Sequence, residues 1–183
     1  MLSIPGAEDV ALELNSLSKS HNMAGWRIGW VAGRKEYIDA VLKVKSNMDS
    51  GMFLGLQQAA TQALQNGEEW FNQLNETYTE RKRIACQLLD RLGCTYSEKQ
   101  SGLFVWAKAS DNVADVEKWI DEILYGTKVF ITPGFIFGEA GRRYIRVSLC
   151  CTVEVFQEAL ERIDQFLENK SPAISDGRKT HVS

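Results

Sequence analysis

Lys19 stands three residues after Ser16 and one after Ser18, and Arg27 follows eight residues further along. A lysine amine that loses its proton is a nucleophile toward carbonyl carbon. Hydroxyls and a planar guanidinium donate hydrogen bonds to anions. A lysine in that company, set between two strand-like runs, is hard to explain as surface decoration. Arg146 is the second residue able to do chemistry. In Tyr144-Ile145-Arg146-Val147-Ser148-Leu149 the two-residue period of a strand sends Ile145, Val147 and Leu149 to one face and Tyr144, Arg146 and Ser148 to the other. One face is core, and the arginine points away from it. Taken alone, an arginine so placed is more often a solvated side chain.

These residues need elements to hold them. Asp9 to Asn15 alternates as a strand does and runs straight into Ser16-Leu17-Ser18-Lys19. A polar loop follows, then a strand over Trp26 to Ala32 closed by Gly33, and a helix over Lys35 to Ser46. From Phe53 to Leu92 apolar residues recur three and four apart, with Gly67 dividing them into two amphipathic helices. Further on, the patterns predict strands over Leu103–Ala107, Lys128–Thr132 and Tyr144–Leu149. A helix is expected over Val113–Tyr125, and a last one, capped by Thr152, with Phe156, Ala159, Leu160, Ile163 and Leu167 in one stripe. The predicted fold class is α/β, its back half a small α+β domain whose sheet is covered by helices on one face. The polar stretch Asn169 to Ser183 lacks periodicity and is expected to be a flexible tail.

Composition narrows the function. With 44% hydrophobic and 25% charged residues the chain falls in the ordinary globular range. A net charge of −3 argues against nucleic acid as a partner. No run approaches the roughly 20 apolar residues of a membrane helix and the N-terminus has no signal pattern, so a cytoplasmic address is expected. Cys86, Cys94, Cys150 and Cys151 form no CxxC pair and only two histidines accompany them, so no metal is expected. Cys150 and Cys151, following a strand-like run, are expected to be buried free thiols.

The run SLSKSHNMAGWRIGW (Ser16 to Trp30) resembles the cofactor-lysine motif of class I/II (fold-type I) aminotransferases, in which S-x-[SAG]-K is followed by a G-W-R-[IVL]-G block. The joined pattern is far more specific than an isolated S-x-x-K or G-x-G. The resemblance covers about residues 4 to 168 and corresponds to the C-terminal part of a family member. It implies pyridoxal 5'-phosphate as cofactor, held by Lys19 as a Schiff base. Arg27 and Ser16, with Ser18 assisting, would bind the phosphate. RYIRVSL resembles the strand whose arginine, here Arg146, grips the substrate α-carboxylate. Pro133-Gly134-Phe135 and Phe137-Gly138 resemble a loop that closes over the substrate, and Asn47 to Phe53 a loop near the dimer partner's site. Packing explains Phe135 and Phe137 equally well, and a plain linker explains Asn47 to Phe53. His21 is read as incidental.

On this resemblance residues 1–46 are a remnant of the large cofactor domain, 47–168 the small domain and 169–183 the tail. The implied activity is amino-group transfer between an α-amino acid and a 2-oxo acid, by a homodimer. Parts that the family places ahead of this stretch, among them an aspartate for the pyridine nitrogen and a glycine-rich phosphate loop, are not in the sequence. The isolated chain is therefore expected to be inactive. A lyase of the same fold, or a non-catalytic folding or interaction module, are the alternatives. A regulator with an aminotransferase-like domain would need a helix-turn-helix module, and none is seen.

Overall fold

The computed structural model describes residues 1–170, and the chain forms two compact units, Met1–Asn72 and a second beginning at Gln73. It is a mixed α/β protein with small antiparallel sheets. The expected tail starts late: the last helix takes in Asn169 and Lys170, and residues 171–183 lie outside the described residues.

In the first unit, β1 (Leu12–Ser16) pairs antiparallel with β2 (Gly29–Gly33), Ser16 opposite Gly29. Ser16 ends the strand and caps the single-turn helix α1 (Leu17–Ser20), its hydroxyl accepting from the Ser18 N–H at 3.0 Å. A 3-10 turn over Ala24–Trp26 and a left-handed Arg27, φ 52°, occupy the start of the strand expected from Trp26. That backbone cannot continue a ladder, so β2 begins only at Gly29. Leu17, Met23 and Ile28 bury with Ala60 of α3 (Leu54–Ala63) into a small core. The helix expected from Lys35 is present as α2 (Lys35–Met48), yet it buries no residue. Val41, Leu42, Val44 and Met48 are all exposed.

The second unit holds most of α4 (Glu68–Arg91), together with β3 (Thr95–Tyr96), β4 (Phe104–Lys108), α5 (Val116–Thr127), β5 (Thr132–Pro133), β6 (Tyr144–Ser148) and α6 (Val153–Lys170). The sheet is antiparallel throughout in the order β3-β4-β6-β5. Val105, Ala107, Ile145 and Val147 bury against Ile84, Leu88 and Leu89 of α4, Ile120 and Ile123 of α5, and Phe156 and Ile163 of α6. All three helices thus contribute to the core on one face of the sheet, as the alternation predicts. Fully burying side chains of this size contributes about 1.5–3 kcal/mol each.

Three expectations are corrected. The strand over Lys128–Thr132 shrinks to Thr132–Pro133, because Lys128 takes a left-handed φ of 61° to end α5 and the chain re-enters the ladder only four residues later. The α5 helix starts at Val116 rather than Val113, since the Asp115 carboxylate accepts from the Glu117 and Lys118 N–H groups and fixes the start. Cys150 and Cys151 are exposed, because β6 ends at Ser148 and they form the turn into α6. The buried thiol is Cys94, whose desolvation pushes it up to about 12.

Candidate active site

The first group of residues lies at one end of the β1–β2 ladder. Ser16 Oγ donates to the Ile28 carbonyl at 3.1 Å, fastening α1 to the start of β2. It also bonds Ser18 Oγ at 2.8 Å, so the two serines form one hydroxyl pair. Lys19 follows on the exposed side of α1, and among the described residues no carboxylate pairs with it. Arg27, also exposed, donates from Nη1 to the Ala24 carbonyl at 2.9 Å. Its left-handed backbone is rare for a residue with a Cβ and costs about 1 kcal/mol, a form of strain that collects at functional sites. An amine, two hydroxyls and a guanidinium at the end of one hairpin are the donor types a phosphorylated carbonyl compound requires. In kind, the residues fit pyridoxal phosphate.

His21 has a structural explanation. Its ring stacks on Trp70 at 5.5 Å, meets Phe71 edge-on at 5.4 Å, and shares a hydrogen bond with Ser20 Oγ at 2.9 Å.

Arg146 belongs to the second unit and sits on the sheet face turned away from the helices. Trp106 is its ladder partner on β4 and Thr132 its partner on β5, so it occupies the middle of a three-strand row. The arginine is not simply solvated. Its guanidinium carbon lies 4.2 Å from the centre of the Phe104 ring and 4.3 Å from that of Phe137. Among the described residues its Nε is buried without a hydrogen-bond partner. The two ring contacts, each contributing about 0.5–2 kcal/mol, are of the same size as the about 1–3 kcal/mol that an unmet buried donor costs. Trp106 stacks on Tyr144 at 5.3 Å and takes the edge of Phe137 at 5.7 Å. A cavity of about 410 Å³ lies between the β5–β6 side of the sheet and α6, lined mainly by Val129, Phe130, Ile131, Val155, Phe156 and Ala159, and none of the rings around Arg146 lines it.

Phe104, Trp106 and Gln100 were not singled out by sequence reasoning. The alternation of Leu103 to Ala107 already puts Phe104 and Trp106 on one face, but nothing local says that Arg146 shares it. Gln100 acts as a substitute strand: its amide accepts from the Trp106 N–H at 2.8 Å and donates to the Trp106 carbonyl at 2.9 Å. That pairing holds β4 beyond the two residues of β3.

The chain matches a sequence profile described as aminotransferase class I and II over residues 4–163. It is 39% identical over 166 residues to an LL-diaminopimelate aminotransferase of Natranaerobius thermophilus, covering 91% of this chain and 43% of that protein. An LL-diaminopimelate aminotransferase of Aquifex aeolicus is also 39% identical, over 163 residues, covering 89% and 42%. Among solved structures, apo BacF from Bacillus subtilis superposes with a TM-score of 0.77 at 36% identity, covering 88% of this chain and 41% of that one. An aromatic aminotransferase from Pyrococcus horikoshii OT3 gives 0.81 at 25% identity, covering 91% and 45%. The chain spans less than half the length of these relatives. With the match running over most of its residues and the lysine and arginine segments both inside it, the chain belongs to the aminotransferase class I and II family.

Proposed function

We propose that this chain is the C-terminal part of a pyridoxal-phosphate-dependent aminotransferase that moves an amino group between an α-amino acid and a 2-oxo acid. The observation that supports this is the end of the β1–β2 hairpin, where the Ser16–Ser18 hydroxyl pair is bonded to the Ile28 carbonyl next to Arg27, with exposed Lys19 one residue beyond the pair. The bound cofactor supplies an electron sink that makes the substrate Cα proton labile. Lys19 would hold the cofactor through its amine, and the same amine would move the substrate Cα proton. Arg27 and the Ser16–Ser18 pair hold the phosphate, the arginine leaving its Ala24 carbonyl to do so. Arg146 grips the α-carboxylate through charge-assisted hydrogen bonds.

Activity belongs to the assembled enzyme, a cytoplasmic homodimer, rather than to this stretch alone. The relatives' greater length and the uncovered apolar side chains of α2 support that. The relatives' names make LL-diaminopimelate the first amino acid to assay.

The test is to incubate the chain with pyridoxal phosphate, reduce with borohydride and map the adduct by mass spectrometry. A preference for Lys19 of about ten-fold over exposed Lys35 or Lys45, removed by Arg27→Ala, is expected. Equal labelling of all exposed lysines would sink the assignment.

A further inference from the structure

The two rings against Arg146 and its buried Nε carry a more specific inference, one that rests on the carboxylate role given to that residue above. We propose that Phe104 and Phe137 are positioning residues that fix the Arg146 guanidinium, so that a carboxylate meets it end-on, through the two terminal nitrogens.

A guanidinium offers a carboxylate two bidentate edges. One is formed by Nε with one terminal nitrogen, the other by the two terminal nitrogens. Here the first edge is closed, because Nε is buried, and among the described residues it has no partner. A ligand oxygen is larger than a hydrogen-bonding gap that admits no water, so it cannot reach that atom. The second edge remains. The faces of the ion are engaged by aromatic rings, Phe104 at 4.2 Å and Phe137 at 4.3 Å. A ring face attracts the charge without using any N–H, so the donors stay available in the plane.

Both rings are themselves held. Phe104 is carried by β4, opposite Ser148 in the ladder and on the same face as Trp106. Phe137 ends a 3-10 segment, Gly134–Phe137, and its ring abuts Trp106, which stacks on Tyr144. The loop is pinned where the backbones of Gly134 and Gly141 touch: a Cβ at either glycine would collide with the other's carbonyl oxygen. Residues of three segments thereby hold the guanidinium, and its two terminal nitrogens favour a flat, two-oxygen anion.

The experiment uses the 15N-labelled chain and the arginine side-chain resonances, with pyruvate as the probe and Arg146→Lys to assign the signals. The Arg146 Nε–H is expected to be shifted upfield by the rings and to exchange with water about ten-fold more slowly than the exposed arginines. Pyruvate is expected to move the terminal N–H signals and leave Nε–H in place. Phe137→Leu should speed the exchange and weaken pyruvate about five-fold, with Phe137→Tyr restoring both. Phe104→Leu gives a second route should Phe137→Leu disturb the fold, which the backbone amide spectrum reports. If pyruvate moves Nε–H as much as the terminal groups, the end-on geometry is wrong although Arg146 still binds the carboxylate. If pyruvate moves no Arg146 signal, the carboxylate role itself fails and takes this proposal with it. If both leucine variants keep wild-type exchange and affinity, the rings do not position the arginine.

Discussion

Trp106 and Arg146 face each other across the β4–β6 ladder, one ring flat against Tyr144 and the other side chain over Phe104 and Phe137. The sheet therefore buries an aliphatic face against helices and builds a second, aromatic face around a cation. A solvated arginine would not need that second face.

The unmet Nε and the two ring contacts of Arg146 nearly cancel in stability. Arg146→Met, which fills similar space without a donor, is expected to leave the fold intact and change its stability by no more than about 1 kcal/mol, since the relieved donor and the lost ring contacts are of similar size. It should also abolish pyruvate binding. Urea denaturation beside an NMR titration checks both, and a clear loss of stability would show that the arginine is structural.

Gly134 and Gly141 approach so closely that neither tolerates a side chain. Gly141→Ala should destabilise the second unit by about 1–3 kcal/mol, since backbone must move to make room. Gly51→Ala, whose Cβ would meet nothing, serves as the control. Equal melting temperatures for the two variants would contradict the packing.

The cysteines differ in environment and should differ in reactivity. Cys150 and Cys151 are exposed, whereas Cys94 is buried with its thiol pushed up to about 12. Iodoacetamide near neutral pH is expected to label Cys150 and Cys151 readily and Cys94 only on unfolding. Peptide mapping over time measures this, and early labelling at Cys94 would refute it.

Cys94 also predicts an alkaline instability. Its ordinary thiol value is about 8.5, and burial raises it to about 12 in the folded chain. Folding thus favours the neutral thiol. That contribution is complete below about pH 8.5 and fades as pH climbs toward 12. Cys94→Ala should flatten the fall in urea midpoint across that window, and an unchanged slope would remove Cys94 as its cause.

Gln100 bonds both backbone groups of Trp106. Gln100→Ala leaves them unmet at a half-buried edge and is expected to cost about 1–2 kcal/mol. Chemical denaturation of the variant against Gln100→Glu, which retains an acceptor for the Trp106 N–H, separates the two bonds.

Much of this molecule is legible residue by residue. The helices α2, α3, α4 and α6 and the strand β6 follow from periodicity, which is a local property of neighbouring side chains. Lys19, Arg27 and Arg146 stand out because their types and spacing match the family motif. Where the pattern misled, backbone geometry decided: Arg27 and Lys128 adopt left-handed conformations that shorten the strands beside them.

Motif and alternation, both written in contiguous residues, were enough to read the family and the covered face of the small sheet, and to single out Lys19 and Arg146 as the residues proposed to act. Only the tertiary structure decided that Gln100 completes the β4 edge and that Arg146 rests on Phe104 and Phe137 with one nitrogen sealed. Those contacts join segments distant in the chain, and ladder register and the pinch of Gly134 on Gly141 bring them together, neither of which any local spacing records.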